Sequence, residues 1–507
     1  MAQTSANETV AQLSTIENTG KQLRRWLSLS SLGPWIVVAA LTAIYTVMSV
    51  AHYETSGAGS WDLGMFTEAV KQYAHFHAPI DDIKSPGFNI LGDHFHPIIA
   101  LLGPVFLLFP SPITLLVAQA FLFSLAADPI IRLGRDLISA GSGYALGIAY
   151  GLSFGIAQAA NFDFHEIAFA VPIIAYALCA LVRGNYRQSM WWCVALLFCK
   201  EDFGLFFVMP VGILMIAKGE IKRGVVLATV GTVATLLCVF VIIPHFNPQH
   251  QYQYWSFVNS TGSQTPQGIN VGPVVGHFFS LFGTKFQLLY LLGTCVALVA
   301  LRSPIILTAV LGLASRFVVT ISAYWGTDYH YNAPVMPILF VAIADAMILA
   351  RAAQPLPDHA WPFQRWARGV STGMGQHGAV AALAVSVALI PQFALNQYFN
   401  LPAMFNVSAR QHAISYAVSL VPNGVTVETN VCELAPLAAR ADTYWAGWNV
   451  SGKNPATQYI LLDTQCFDLS STAFGDPVTF EEGRHGGAQY KIIYQDDFGI
   501  YVMERIQ

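Results

Sequence analysis

A chain of 507 residues that is 54% hydrophobic and only 11% charged, with a mean hydropathy of +0.50, is too apolar for a soluble globular protein, in which about a quarter of residues carry charge. Its net charge of −4, with no block of like charge, gives no sign of a nucleic-acid-binding surface or an acidic tail. The composition is that of a polytopic membrane protein.

Residues 1–33 are polar, and the apolar run that follows has no small-residue cleavage site before His52. It reads as an uncleaved anchor behind a cytoplasmic N-terminal segment. A spanning helix needs ~20 mostly apolar residues. Candidates fall near 34–51, 112–131, 142–160, 167–182, 189–199, 203–217, 224–244, 286–301, 304–324, 333–350 and 378–395, which makes eleven passes. The stretch from His96 to Phe109 is about two-thirds of a span and contains Pro104, so it reads as a re-entrant or interfacial helix. Cytoplasmic loops are enriched in Lys and Arg. Eleven passes place Lys21, Arg24, Arg25, Arg132, Arg135, Arg183, Arg187, Lys218, Lys222, Arg223, Arg302, Arg351, Arg365 and Arg368 inside, against Lys71, Lys84, Lys200 and Lys285 outside. The long first loop, 52–111, and everything after residue 396 then lie on the outer side.

Five polar clusters gather on that same side: Trp61-Asp62-Leu63-Gly64, Asp93-His94-Phe95-His96-Pro97, Asp163-Phe164-His165-Glu166, Lys200-Glu201-Asp202 and Asp328-Tyr329-His330-Tyr331-Asn332. Ionisable residues at a membrane edge cost free energy and are functional candidates by default, whereas any one such cluster alone is as readily a helix cap or a solvated loop. Asp62, with the apolar neighbours Trp61, Leu63 and Phe66, is a candidate general base; its bland reading is the N-cap of a helix running through Phe66 and Val70. Asp93, His94 and His96, with His165, Glu166 or His330, are candidate ligands of a divalent cation. Residues two apart diverge, however, so one His of the pair at most reaches a given site. Lys200 follows a short span beside Glu201 and Asp202, and either these acids or the phosphate of a bound lipid neutralises it. Arg316, eight residues before Tyr324, is expected some 12 Å below the end of its helix and needs a partner. His330 offers a donor to a phosphate or leaving-group oxygen, or is part of an aromatic belt with its flanking tyrosines. The segment Gln251-Tyr252-Gln253-Tyr254-Trp255 reads as a belt or lid without chemistry.

The segment 396–507 changes character. A helix is expected from Ser408 to Ser419 and another from Glu433 to Arg440, with strands at Val425–Glu428, Tyr459–Asp463, Lys491–Tyr494 and Gly499–Met503, the last two joined by a turn at 496–499. This alternation describes one small α/β domain. Five cysteines lie in or beside apolar runs; Cys432 and Cys466 lie in this polar part, where export would permit a disulfide.

The stretches at 62–66, 87–97, 164–166, 200–202 and 330–334 are similar to those of a bacterial family of uncharacterised predicted membrane proteins. That family resembles the GT-C superfamily, integral-membrane glycosyltransferases that take sugars from polyprenyl-phosphate carriers on the outer face. The resemblance covers most of the chain. It implies a GT-C-like transmembrane domain over 34–395, with the first-loop acid at Asp62 and a His-Pro segment at His96-Pro97. Where many members carry an acidic pair, Asp62 is followed by Leu63, with Glu68 the next carboxylate, which favours a base over a bidentate metal ligand. The expected function is transfer of a sugar, with inversion, from a polyprenyl-phosphate donor to a cell-envelope acceptor in the plasma membrane. Asp62 is the base, Lys200, Arg316 and His330 hold the carrier phosphate, and Asp93, His94, His165, Glu166, Glu201 and Asp202 position sugar hydroxyls or an ion. The rival readings are a transporter or flippase of an anionic lipid or sugar, and a metal-dependent hydrolase of a lipid-linked phosphate.

Overall fold

The structure is a computed structural model that describes residues 29–257, 275–276, 278–280, 282–295, 298–319, 321–352, 362–447, 454–466, 468 and 477–506. Lys21, Arg24 and Arg25 and most of the polar N-terminal segment lie outside the described residues. The protein is mostly helical. Four helices have the length and hydropathy of a membrane span: Leu32–Ser56, Pro112–Leu137, Ile221–Phe246 and Val335–Ala352. Shorter apolar helices at Pro97–Leu108, Ile167–Val182, Gly204–Ala217 and Pro304–Phe317 pack among them.

The boundaries follow local chemistry. Ser111 caps the helix that opens at Pro112 by accepting from the Ile113 amide at 3.2 Å, a serine N-cap followed by proline at the first helical position. Helices 204–217 and 221–246 meet through glycine: a Cβ on Gly204 would lie 2.3 Å from the Gly231 carbonyl, and one on Gly212 2.7 Å from that of Gly224. Such close backbone approach is how helices associate where water supplies no driving force.

Several expected spans are shorter or broken. The segment 142–160 is two helices, Ala140–Gly151 and Phe154–Asn161, split where the Ser153 hydroxyl binds the Tyr150 carbonyl at 2.6 Å. The segment 286–301 leaves the helix at Cys295 and resumes through Leu298, whose φ is +58°. The segment 304–324 ends its helix at Phe317, before the β-branched Val318, Val319 and Thr320, which cost side-chain entropy in a helix. Arg316 is therefore in the last turn rather than some 12 Å down a helix.

The long first loop is a built layer. It holds the helix Asp62–Ala74, a bridge between Ile80 and Asn89, and the turns that lead to Pro97. The C-terminal domain rests on it. Its five strands are β1 (Thr426–Thr429), β2 (Asp442–Trp445), β3 (Tyr459–Asp463), β4 (Tyr490–Gln495) and β5 (Ile500–Arg505), in the order β2-β1-β3-β5-β4. β2-β1-β3 are parallel; β5 and β4 add antiparallel. Val427, Leu461, Ile500 and Val502 pack under the helix Ala409–Leu420. The helix Val431–Ala438 faces the first loop, where a Cβ on Gly64 would stand 2.9 Å from the Leu434 Cβ. Trp61 meets Trp445 at 5.4 Å, and Lys71 donates to the Ala441 carbonyl at 2.6 Å. Strand β2 and the helix Pro477–Arg484 are additions to the expected elements. Cys432 and Cys466 are joined in a disulfide.

Candidate active site

All five polar clusters meet at one end of the helices. Asp163 pins the first loop to the bundle: it accepts from the Gly59 amide at 3.0 Å, the Ser60 amide at 2.6 Å and the Ser60 hydroxyl at 2.9 Å. Ser60 Oγ in turn accepts from the Asp62 amide at 3.0 Å. Asp62 is the first residue of the helix 62–74 and makes no cap bond, while Ser60 serves its amide. The Asp62 carboxyl is half-buried, and burial raises its pKa above the usual carboxylate value, against the opposing pull of His165 and Ser60. Burial also pushes Asp163 up to about 7, against the bonds from Gly59 and with the added repulsion of Asp62.

Phe66, one turn along from Asp62, is buried against the rings of His96, Phe164 and His165 at 5.4–5.5 Å. Three clusters thus share one aromatic joint. His165 stacks on His330 at 3.6 Å. Its Nδ1 lies 2.6 Å from Glu166 Oε2, an ion-pair distance without the alignment of a hydrogen bond. The other Glu166 oxygen accepts from Lys200 at 2.9 Å. Burial works to raise the Glu166 pKa, but His165 and Lys200 hold it well below the carboxylate range. Burial likewise works to neutralise Lys200, and Glu166, Glu201 and Asp202 more than reverse it, so Lys200 is a cation. His330 is the opposite case. Burial, with His165 and Lys200 beside it, puts its pKa well below the usual histidine value, so it is neutral and has one N–H to donate.

A second network closes the other side. Glu201 accepts from the Phe95 amide at 3.1 Å and Tyr252 at 3.0 Å, and lies 2.7 Å from His94 Nδ1. Asp93 pairs with Lys84 at 2.5 Å and accepts from Tyr254 at 3.0 Å, and Tyr254 stacks on His94 at 4.2 Å. Burial raises and Lys84 and His94 lower Asp93, leaving it below the carboxylate range. Tyr252 and Tyr254, which the sequence marks only as aromatic, are hydrogen-bonding parts of the site.

Between the networks lies a cavity of about 360 Å³. Its walls are largely apolar, among them Phe203, Phe206, Phe207, Leu313 and Val319, and its polar lining includes His94, Lys200, Glu201, Asp202, Arg316 and His330. Asp62, Asp93, His165 and Glu166 stand behind that lining. Arg316 donates to the Tyr324 carbonyl at 2.5 Å, the Tyr331 carbonyl at 3.1 Å and Asn332 Oδ1 at 3.0 Å. Those acceptors are neutral, and among the described residues no carboxylate lies within ion-pair distance of its guanidinium. Nor do Asp93, His94, His165, Glu166 and His330 bring three metal-ligand atoms together; each of the first four instead engages a neighbouring side chain.

The fold is that of solved GT-C structures. The crystal structure of ArnT from Cupriavidus metallidurans bound to undecaprenyl phosphate matches with a TM-score of 0.50 at 14% identity, over 93% of this chain and 98% of that one. The apo structure of the same protein gives 0.49 at 13% identity, over 94% and 98%. No curated protein sequence matches the chain. The profile of the predicted membrane protein family DUF2079 matches residues 55–499, so the chain belongs to that family.

Proposed function

We propose that the protein is an integral-membrane glycosyltransferase that moves a sugar from a polyprenyl-phosphate donor to an envelope acceptor on the outer face, with inversion. The observation that carries this reading is Arg316: among the described residues this guanidinium on the wall of an apolar cavity bonds only to neutral acceptors and has no anion, and a cation taken from water without one is costly. A lipid phosphate supplies the anion and the apolar chain together. Lys200 stands on the same lining. The undecaprenyl phosphate in the ArnT structure is a molecule of this chemistry.

In the proposed reaction Asp62 takes the proton of the acceptor hydroxyl, whose oxygen attacks the anomeric carbon. The bond from that carbon to the phosphate oxygen breaks, and the electron pair leaves with the polyprenyl phosphate. Lys200 and Arg316 stabilise the charge that develops there, and His330 contributes its N–H. The test is to incubate the purified protein with a panel of radiolabelled polyprenyl-phosphate sugars and envelope acceptors. Labelled acceptor, with release of polyprenyl phosphate, is the expected result. Movement of donor across proteoliposomes without product points instead to a transporter.

Asp163 is a positioning residue in this scheme. Asp163→Ala removes the three bonds that hold residues 59 and 60 and is expected to lower turnover by about a hundredfold, the cost of a small misplacement of a catalytic group. Donor affinity stays within about threefold, since Asp163 is not on the cavity lining. An equal loss in both would assign Asp163 to general folding.

A further inference from the structure

The C-terminal sheet has a feature that sugar transfer does not use. Chain order runs from β1 outward to β2, then back across β1 to β3, so the strand order reverses between β1 and β3. The carboxyl ends of parallel strands at such a reversal are where open α/β sheets bind ligands. Three oxygen-bearing side chains stand at those ends. Asp463 ends β3, Thr429 ends β1, and Glu433 follows in the first turn of the helix Val431–Ala438. Thr429 pairs with Leu461, so by the two-residue alternation of strands Thr429, Leu461 and Asp463 point to one face, the face that carries Leu437 of the same helix.

These groups are fully buried, and two of the three are short of donors: Asp463 accepts from Arg410 and from the Gln465 amide, the latter at 2.9 Å, whereas Glu433 and Thr429 are not so served. Thr429, Glu433 and Asp463 are each 0% exposed. Among the described residues the Thr429 hydroxyl and both Glu433 oxygens accept from no donor, and the charge that acts most strongly on Glu433 is that of a second carboxylate, Asp463. An oxygen of Glu433 and one of Asp463 lie within 4.8 Å of each other and of Cys432 Sγ. The disulfide to Cys466 removes that sulfur as a thiolate ligand and leaves an oxygen-only set. Arg410 pairs with Asp463. Asp468 stands close by, accepting from the Val431 amide at 3.0 Å, Asn430 at 3.2 Å and Trp445 at 2.7 Å. Asp463 is answered by Arg410 and the half-buried Asp468 by three N–H donors, which leaves Glu433 as the buried carboxyl with no donor among the described residues.

We propose that Glu433, Asp463 and Thr429 form a divalent-cation site, and that the cation is a hard one such as calcium. Carboxylate and hydroxyl oxygens without nitrogen or thiolate select hard cations, and calcium tolerates the irregular geometry that strand ends and a helix start provide. The ion bridges Glu433 and Asp463 and so ties β3 to the helix 431–438. That helix packs on Gly64, so the site stiffens the support of the first loop. The competing occupant is a proton shared between Glu433 and Asp463.

The test titrates the purified full-length protein, stripped with chelator, with terbium as a luminescent stand-in for calcium and excites tryptophan. Trp445, bonded to Asp468, is the sensitiser. Expected are saturable emission at one ion per chain, displacement by calcium, and a rise of the thermal midpoint with calcium. Glu433→Gln is expected to weaken binding by about tenfold or more, and Thr429→Val, which keeps the carboxylates, to weaken it less. Absence of both emission and midpoint shift in the wild-type protein, or binding that Glu433→Gln leaves unchanged, overturns the site and leaves the shared proton. Because these readouts involve no donor, their failure leaves the transfer reaction untouched.

Discussion

Asp62→Asn is expected to reduce turnover by about 10²–10⁴-fold, the range for loss of a general base, while the affinity for polyprenyl phosphate stays within about twofold. The asymmetry follows from position. Asp62 is half-buried at the start of its helix, free of the capping role that Ser60 fills, and set apart from the residues that line the cavity. Asparagine keeps the shape and loses only the ability to take a proton. The pH profile gives a second check. Burial raises the Asp62 pKa above the ordinary carboxylate value, against His165 and Ser60, and the base is the deprotonated form. The wild-type rate therefore climbs as pH rises through that raised pKa, and this limb disappears from whatever residual rate Asp62→Asn retains. A variant with an intact rate and an intact acidic limb removes Asp62 from the chemistry.

How much of this was legible beforehand depends on what each feature needs. The clustering of Asp62, Asp93, His94, His165, Glu166, Lys200, Glu201, Asp202 and His330 at one end follows from hydropathy alone, because each cluster abuts an apolar run and water-seeking groups collect where helices emerge. The strands β3, β4 and β5 likewise fall on the short apolar runs at Tyr459–Asp463, Lys491–Tyr494 and Gly499–Met503, the last two joined by the turn at 496–499. Partners are another matter. That Asp163 holds Ser60, or that Tyr254 reaches Asp93, depends on contacts spanning over a hundred positions, and no local pattern encodes them. Strand β2, Asp442-Thr443-Tyr444-Trp445, holds no aliphatic residue, unlike β1 of the same length with its Val427, so no apolar run marks it. Helix ends fail for a third reason. Hydropathy extends 304–324 past Phe317 because Val318, Val319 and Ile321 are apolar, whereas the backbone turns there and its carbonyls at Tyr324 and Tyr331 go to Arg316.

That turn makes Arg316 the other large effect. Arg316→Met is expected to weaken binding of polyprenyl phosphate by about a hundredfold or more, since removing one member of a buried charged pair costs about 2–5 kcal/mol. The side chain has two duties, and the experiment must separate them. Losing the guanidinium strands the part-buried carbonyls of Tyr324 and Tyr331, each at up to about 1 kcal/mol since water reaches them in part, so some loss of thermal stability accompanies the loss of affinity. Arg316→Lys keeps the charge but not the planar fork that spans three acceptors. Lys200→Met removes a neighbouring cation without touching those carbonyls, because Lys200 binds Glu166 instead. If the phosphate sits between the two cations, all three variants lose affinity when binding is measured below their unfolding midpoints, and Lys200→Met does so with the segment 324–331 intact. If Arg316 is only a brace for the backbone, Arg316→Met loses stability while its affinity for polyprenyl phosphate matches the wild type.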